Sequence, residues 1–121
     1  RCPGQTVIGA VGDGGALMTG NEFAVGMARA LPIKLILSEN NSYASIRIHQ
    51  ERDHPGRVSG TDLANPDMAG WAACFGAPVI RVNTEDDLPA LAEALRAPGP
   101  MIAVVRTSLE AVLPAAPSAG R

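Results

Sequence analysis

Four short apolar runs are spaced along the chain and predict the strands of a sheet. They cover residues 6–11, 33–38, 78–82 and 101–106. The first is a continuous apolar run rather than an alternating one, which predicts a strand buried on both faces of the sheet. The spacing leaves room for a helix in each interval, which is typical of parallel strands joined by crossovers.

Each interval contains a predicted helix, over residues 20–31, 65–75 and 85–96. The first has the spacing of a capping box, with Thr19 as N-cap and Glu22 reaching back, and Pro32 ends it. In the second, Asn65 is the predicted N-cap and Pro66 takes the first helical position. Strands that alternate with helices predict an α/β domain, with a parallel sheet and helices on both faces.

The segment over residues 39–64 has little periodicity and predicts a long polar connection. In a compact domain such a connection is usually functional or mobile. It contains His49 and His54, for which a role in proton transfer and an ordinary place on a surface loop are both compatible with the sequence.

Composition narrows the class of protein. Apolar residues make up 46% of the 121 residues, which is ordinary for a globular α/β domain long enough to bury a core. A net charge of −2 gives no electrostatic reason to expect binding to nucleic acid or to an anionic membrane. No apolar run is long enough to span a bilayer. Cys2 and Cys74 lack metal-binding spacing, which predicts free thiols in a reducing cytoplasm.

Polar residues suited to a metal and a phosphate follow the first two predicted strands. Asp13 lies in a glycine-rich turn after the first strand, and Asn40 follows the second. Because the carboxyl ends of parallel strands meet at one edge of a sheet, a carboxylate, an amide and a nearby backbone carbonyl can share one ion. Such hard oxygen ligands of low total charge suit Mg²⁺ and leave positions open for phosphate oxygens. The glycines allow backbone N–H groups to approach a diphosphate closely.

Two other phosphate-binding motifs do not match. A dinucleotide-binding fingerprint needs glycine or alanine at the position that Leu17 occupies, and no Gly-Lys-Ser/Thr run follows the glycines, as a P-loop would require. Taken alone, Asp13 could be a turn residue, since aspartate and glycine are common in turns. The asparagines after the next strand favour metal binding instead.

Several segments together resemble one family. Its members are the thiamine-diphosphate-dependent enzymes, whose GDG…NN signature is similar to Gly12-Asp13-Gly14 and Glu39-Asn40. The similarity continues, in order, at residues 18–23, 40–47, 61–67 and 99–104. Residues 18–23 resemble the family's MTxxEL segment, and residues 40–47 resemble its NNxSYGxIR segment. Within the superfamily the chain is most similar to acetolactate synthases and 2-oxo acid decarboxylases.

The resemblance implies a set of ligands. Asp13, Asn40 and the backbone carbonyl of Ser42 would hold Mg²⁺, and an alignment displaced by one residue would make Asn41 the ligand instead of Asn40. Thiamine diphosphate would be contacted by the cofactor-binding residues Gly12, Gly14, Gly15, Asn41 and Tyr43.

Two positions depart from the family pattern. Glu39 stands where the family has the first asparagine of its pair and adds a negative charge beside the site. Ala44 stands where glycine is usual, which would slightly restrict the backbone of the loop.

The resemblance also implies an activity that this chain would not perform alone. Thiamine diphosphate would support decarboxylation or carboligation of a 2-oxo acid. The activating glutamate would come from a pyrimidine-binding domain of the same or a neighbouring subunit, so a homo-oligomer is expected and no catalytic residue is assigned to this chain. The alternative is a non-catalytic cofactor-binding or assembly module, a degenerate or split member of the family.

The domain organisation follows from the same resemblance and from the ends of the chain. Residues 1–113 are expected to form an amino-terminally truncated cofactor-binding domain, because the chain begins with Arg1 close to its first strand. Residues 114–121 are rich in alanine, proline and serine, which predicts a disordered tail.

Overall fold

Four parallel strands form one sheet in the computed structural model, which describes residues 4–111. In chain order they are β1 (Val7–Gly12), β2 (Ile33–Glu39), β3 (Val79–Val82) and β4 (Met101–Arg106), and their order across the sheet is β1-β2-β4-β3. Each lies within one residue of a predicted run, and the predicted parallel sheet is confirmed. The predicted tail and the domain boundary before it lie outside the described residues.

Helices cover both faces of this sheet, as predicted. The α-helices of the described residues are α1 (Asp13–Thr19), α2 (Phe23–Ala28), α3 (Ala44–Asp53), α4 (Met68–Ala73) and α5 (Leu88–Arg96). On one face, buried side chains of α1, α2 and α4 pack with Leu37, Ile102 and Val104. Met101 and Ala103 alternate with these residues along β4, so they point to the other face, and they are buried too. There α5 contacts β3 and β4. None of the helices described is long and apolar enough to cross a membrane.

β1 is more exposed than its sequence predicts. It lies at one edge of the sheet and, among the described residues, pairs with β2 alone. Val7 and Ile8 are 59% and 57% exposed, so the prediction that this strand is buried on both faces is wrong. The prediction describes β4 instead, where four consecutive residues, Met101–Val104, are buried. An apolar run does not say how many neighbours a strand has, and it therefore cannot distinguish an edge strand from a central one.

The first helix begins earlier than predicted. α1 starts at Asp13, directly after β1, and a 3₁₀ turn over Gly20–Glu22 separates it from α2. Thr19 makes no capping hydrogen bond through its side chain, so the predicted capping box is wrong. The break coincides with a close approach to α4, since a Cβ on Gly20 would lie 2.6 Å from the Trp71 ring. The predicted start of the helix is therefore a break between two helices, at a point where the chain packs closely on α4.

The connection over residues 39–64 is partly helical, which its sequence did not predict. None of the residues of α3 is buried, and its sequence has no amphipathic pattern from which a helix could be predicted. His49 lies on α3 and His54 directly follows it, and both are exposed.

α4 begins two residues later than predicted, at Met68 rather than at Pro66. The side chain of Asp67 caps it and accepts a hydrogen bond from Ala69 N (3.2 Å), so the predicted cap at Asn65 and the predicted helical position of Pro66 are wrong. A hydrogen bond from the Arg81 guanidinium, supported by backbone N–H groups of the helix, lowers the pKa of Asp67. Asp67 is thus the residue that joins the start of α4 to β3.

The predicted helix over residues 85–96 is confirmed as a 3₁₀ turn, Glu85–Asp87, followed by α5. The end of α5 is tied to the sheet by Lys34, which lies near the start of β2 and is 1% exposed. Its Nζ donates to the carbonyl oxygens of Ala97 (2.6 Å) and Gly99 (2.8 Å). A buried ammonium is tolerated here because it meets the carbonyl groups at the end of a helix.

Lys34→Met is expected to lower the free energy of unfolding by about 2 kcal/mol, because two carbonyl oxygens lose a charged donor while the methionine replaces only the volume. Urea-induced unfolding followed by circular dichroism measures the change. Arg29→Met is the matched control, since Arg29 is exposed. Equal unfolding midpoints for the two variants would show that the contacts of Lys34 do not stabilise the fold.

Candidate cofactor site

The site lies at the carboxyl edge of the sheet, where β1 and β2 end side by side. Asp13 is the residue after β1 and Asn40 is the residue after β2. Gly12, the last residue of β1, pairs in register with Ser38 of β2. The parallel pairing therefore brings the two predicted metal ligands together, and it leaves Asp13 only 1% exposed.

The Asp13 carboxylate is held by four N–H donors. Its Oδ1 accepts a hydrogen bond from Gly14 N (2.9 Å). Its Oδ2 accepts three more, from Asn40 N (3.0 Å), Asn41 N (2.7 Å) and Asn65 Nδ2 (2.7 Å). These contacts offset the cost of burying the carboxylate, and they fix the loop after β2 to the end of β1.

The loop after β2 is also held by the segment that precedes α4. Tyr43 N and Ser42 Oγ both donate to Thr61 O, at 2.8 and 3.0 Å, and Leu63 N donates to Asn41 O (2.8 Å). Asn41 has a φ of +56°, a left-handed conformation that asparagine tolerates better than most residues. The carbonyl oxygen of Ser42 accepts no hydrogen bond within residues 4–111, which leaves it free to bind a ligand.

A cavity of about 530 Å³ opens beside this network. Seven of the eight predicted site residues line it, namely Gly12, Asp13, Gly14, Gly15, Asn40, Ser42 and Tyr43. The eighth, Asn41, lines an adjacent polar cavity of about 380 Å³ together with Arg81 and Arg106. Of the two asparagines that the sequence leaves as alternatives, only Asn40 therefore reaches the main cavity.

Two glycines shape the cavity in different ways. A Cβ on Gly14 would overlap the ring of Tyr43 and lie 3.2 Å from Leu63 Cδ1, so the close packing of this ring depends on glycine. A Cβ on Gly12 would meet nothing within 4 Å and would project into open space. Glycine at this position therefore keeps that part of the cavity open.

Not every backbone N–H group of the predicted cofactor-binding residues is free to bind phosphate. Gly14 N donates to Asp13 and Tyr43 N donates to Thr61 O. Gly15 lies in the first turn of α1, where a backbone N–H has no helical acceptor. The same is true of Ala44 and Ser45 in the first turn of α3, and both of these residues line the cavity.

The donor set fits a cation that is shared with phosphate oxygens. Asp13 contributes one carboxylate, Ser42 a carbonyl, and Asn40 an amide oxygen that also accepts a hydrogen bond from Ser42 N (3.1 Å). Across the described part of the chain, no three His, Cys, Asp or Glu side chains are grouped so that they could hold a metal. Three oxygen ligands are fewer than the six of an octahedral Mg²⁺ ion, which at phosphate sites usually also binds phosphate oxygens and water.

The two departures from the family pattern lie at the edge of this site. Glu39 ends β2 and lines the adjacent polar cavity rather than the main one. Ala44 begins α3 and has no positive φ, so glycine is not required there and the expected restriction of the backbone does not arise. The lining of the main cavity includes neither His49 nor His54.

Asn65 is the site residue that the sequence did not identify. Its side chain contacts Asp13 from a distance of 52 residues along the chain. An asparagine just before a helix favours a capping role, and this local signal predicted the wrong function for its side chain. Only the path of the segment before α4 brings it to the carboxylate.

Comparisons with known proteins identify the family of the chain. Residues 1–105 match the family model described as thiamine pyrophosphate enzyme, C-terminal TPP binding domain. The chain is 32% identical over 101 residues to acetolactate synthase of Bacillus subtilis, an alignment that covers 83% of this chain and 18% of that protein. It is 31% identical over 128 residues to the chloroplastic acetolactate synthase 2 of Nicotiana tabacum, which covers 98% of this chain and 19% of the relative.

Solved structures show the same fold. Benzoylformate decarboxylase from Polynucleobacter necessarius aligns with a TM-score of 0.78 and 24% identity, over 87% of this chain and 20% of that one. A structure described as a thiamin diphosphate-dependent enzyme from Mycobacterium smegmatis aligns with a TM-score of 0.69 and 30% identity, over 86% and 18% of the two chains.

The fold, the site and the family model together define the class. The chain belongs to the family of thiamine pyrophosphate enzymes and corresponds to their C-terminal domain, which binds thiamine pyrophosphate, also called thiamine diphosphate. Its relatives are of the acetolactate synthase type, and the chain spans about one fifth of the length of the curated relatives that it matches.

Proposed function

We propose that this chain binds the diphosphate of thiamine diphosphate through Mg²⁺, with Asp13, Asn40 and the Ser42 carbonyl as metal ligands. The observation that carries the proposal is the buried Asp13 carboxylate, which lines a cavity between two strand ends beside an amide and a free backbone carbonyl. A cation bound at this carboxylate would neutralise part of the charge of the diphosphate, and the phosphate oxygens would complete its coordination.

The residues around the ligands bind and orient the cofactor in this proposal. Gly12 leaves space for the phosphates, and the N–H groups in the first turns of α1 and α3 point to them as donors. Asp13 is already fixed by its four N–H donors, so the site needs little rearrangement to accept the ion. Bound there, thiamine diphosphate would supply the stabilisation of a carbanion that the reactions of this family require.

The activity of the complete protein is a wider proposal. We infer a decarboxylation or carboligation of a 2-oxo acid, with a pyrimidine-binding domain of the same or a neighbouring subunit as the partner of this domain in a homo-oligomer. The similarity to acetolactate synthases supports this inference. The chain spans about a fifth of the length of those relatives, and we infer that the side chains that select the 2-oxo acid lie in other parts of the assembly.

Calorimetric titration of the full chain tests the binding proposal. We expect thiamine diphosphate to bind in the presence of Mg²⁺ and to lose at least about 100-fold in affinity when EDTA replaces the metal. Thiamine without phosphates is the matched control ligand, and we expect its affinity to be the same with Mg²⁺ as without it. Equal affinity for thiamine diphosphate with Mg²⁺ and with EDTA would contradict the proposal.

A further inference from the structure

The adjacent polar cavity, of about 380 Å³, lies at the carboxyl edge of the sheet, next to the cofactor site. Its lining comes from β2, β3 and β4 and the loops that follow them, and it includes Arg81, Arg106, Asn41 and Asn83. Of the described residues, one acidic residue, Glu39, lines it as well. The positive charges of the lining therefore outnumber the negative ones.

The two arginines lie on one face of the sheet. Arg81 of β3 pairs in register with Val104 of β4, and Arg106 follows Val104 by two residues. Paired residues of neighbouring strands share a face, as do residues two apart along one strand. Glu39 is the register partner of Arg106, so it lies on this face too. Both guanidinium groups and the carboxylate therefore belong to one polar surface near the ends of three strands.

Most donors of the two arginines are unused. Arg81 donates to Asp67 Oδ1 through Nη2, a contact that ties it to the start of α4. Arg106 is exposed and forms no ion pair within residues 4–111, although Glu39 lies beside it in register. A guanidinium carries several N–H donors in a planar fork, so both arginines can bind a further acceptor.

Two amides add uncharged donors to the same cavity. Asn41 and Asn83 are exposed, and their side chains make no hydrogen bond in the described part of the chain. A single carboxylate group has about four lone-pair sites, fewer than the donors that surround the cavity. The donor set therefore suits an anion with more acceptor oxygens.

We propose that the adjacent polar cavity is a second anion site, which binds a small, doubly charged oxyanion, either a phosphate group or a dicarboxylate. Guanidinium groups match the geometry of both, and charge-assisted hydrogen bonds make such contacts strong. The lining of the main cavity includes neither Arg81 nor Arg106, so this site is separate from the proposed diphosphate site. The inference therefore does not depend on the proposed function.

Glu39 distinguishes a site from a surface that attracts anions at long range. Its carboxylate lines the same cavity and would repel the bound anion. Loss of the Arg106 charge should therefore weaken binding, and loss of the Glu39 charge should strengthen it. An arginine elsewhere on the surface should have little effect on a ligand that contacts the cavity directly.

Calorimetric titration of the full chain with inorganic phosphate and with malonate tests the inference. The buffer is free of metal ions and of other oxyanions. The wild-type chain is compared with Arg106→Met and Glu39→Gln, and thermal unfolding is recorded for each protein. Arg57→Met is the matched control, because Arg57 is exposed and lines neither of the two cavities.

For the anion that binds more tightly, we expect Arg106→Met to lower the affinity at least about tenfold and Glu39→Gln to raise it about threefold. Arg57→Met should keep the wild-type affinity. The preference for phosphate or for malonate identifies the chemical source of the charge. Equal losses in Arg106→Met and Arg57→Met would overturn the inference, as would a wild-type chain that binds neither anion. Failure of magnesium-dependent cofactor binding would instead overturn the proposed function alone.

A second measurement needs no substitution. In nuclear magnetic resonance spectra of the wild-type chain, the Nε–H signals of Arg81 and Arg106 should shift as phosphate is added and reach saturation together. The signal of Arg57 should stay in place. Shifts that are equal for all arginines and do not saturate would overturn the inference.

Discussion

Asp13→Ala is expected to abolish magnesium-dependent binding of thiamine diphosphate and to lower the free energy of unfolding by about 2–4 kcal/mol. Removal of the carboxylate takes the acceptor from three donors on the loop after β2 and the segment before α4, namely Asn40 N, Asn41 N and Asn65 Nδ2. Calorimetry measures the binding and urea-induced unfolding measures the stability. Both effects have one cause, because the same carboxylate holds the loop and faces the cavity.

Asp13→Asn separates the two effects. The amide keeps the shape of the side chain and one acceptor oxygen, so the loss of stability should be smaller than in Asp13→Ala, while a neutral ligand should still fail to hold Mg²⁺. Asp86→Ala is the control, because Asp86 is an exposed carboxylate in the turn before α5. If Asp13→Asn binds the cofactor with wild-type dependence on Mg²⁺, the assignment of Asp13 as a ligand is wrong.

The proximity of Asp13 and Asn40 to each other could be predicted from the sequence because it depends on few facts. Two apolar runs identify two strands, the interval between them is long enough for a crossover, and parallel strands end at the same edge. The register of Gly12 with Ser38 then brings the two residues together. This reasoning does not depend on how the helices pack. It therefore placed Asp13 and Asn40 together correctly, whereas the predicted helix starts and caps were wrong.

The role of Asn65 could not be predicted in the same way. Its contact with Asp13 depends on the course of the chain between α3 and α4, where the residues show no periodicity. The exposure of β1 has a similar origin, since the number of strands beside it is a property of the whole sheet. Local sequence patterns report the average propensity and burial of a segment. The contact of Asn65 and the exposure of β1 depend instead on which segments meet in three dimensions.

The second large effect is expected for Gly14→Ala. A Cβ on Gly14 would lie 2.7 Å from Tyr43 Cδ1 and 3.2 Å from Leu63 Cδ1, so the Tyr43 ring must move. Overpacking of this kind costs about 1–3 kcal/mol of unfolding free energy. Tyr43 lines the cavity beside Asp13, and its displacement should also weaken thiamine diphosphate binding by at least about tenfold. Urea-induced unfolding and calorimetry measure the two quantities.

The cause of this effect can be tested with a double-mutant cycle. In a Tyr43→Ala background the overlap with the ring is gone, so Gly14→Ala should cost less than about half of what it costs in the wild-type chain. Gly9→Ala is the control for the added methyl group, because its Cβ would lie at an ordinary contact distance of 3.6 Å from Leu35 Cδ1. Additive costs for Gly14→Ala and Tyr43→Ala would mean that the ring does not require glycine. The cost at Gly14 would then come from Leu63 Cδ1, the other close neighbour of the added Cβ.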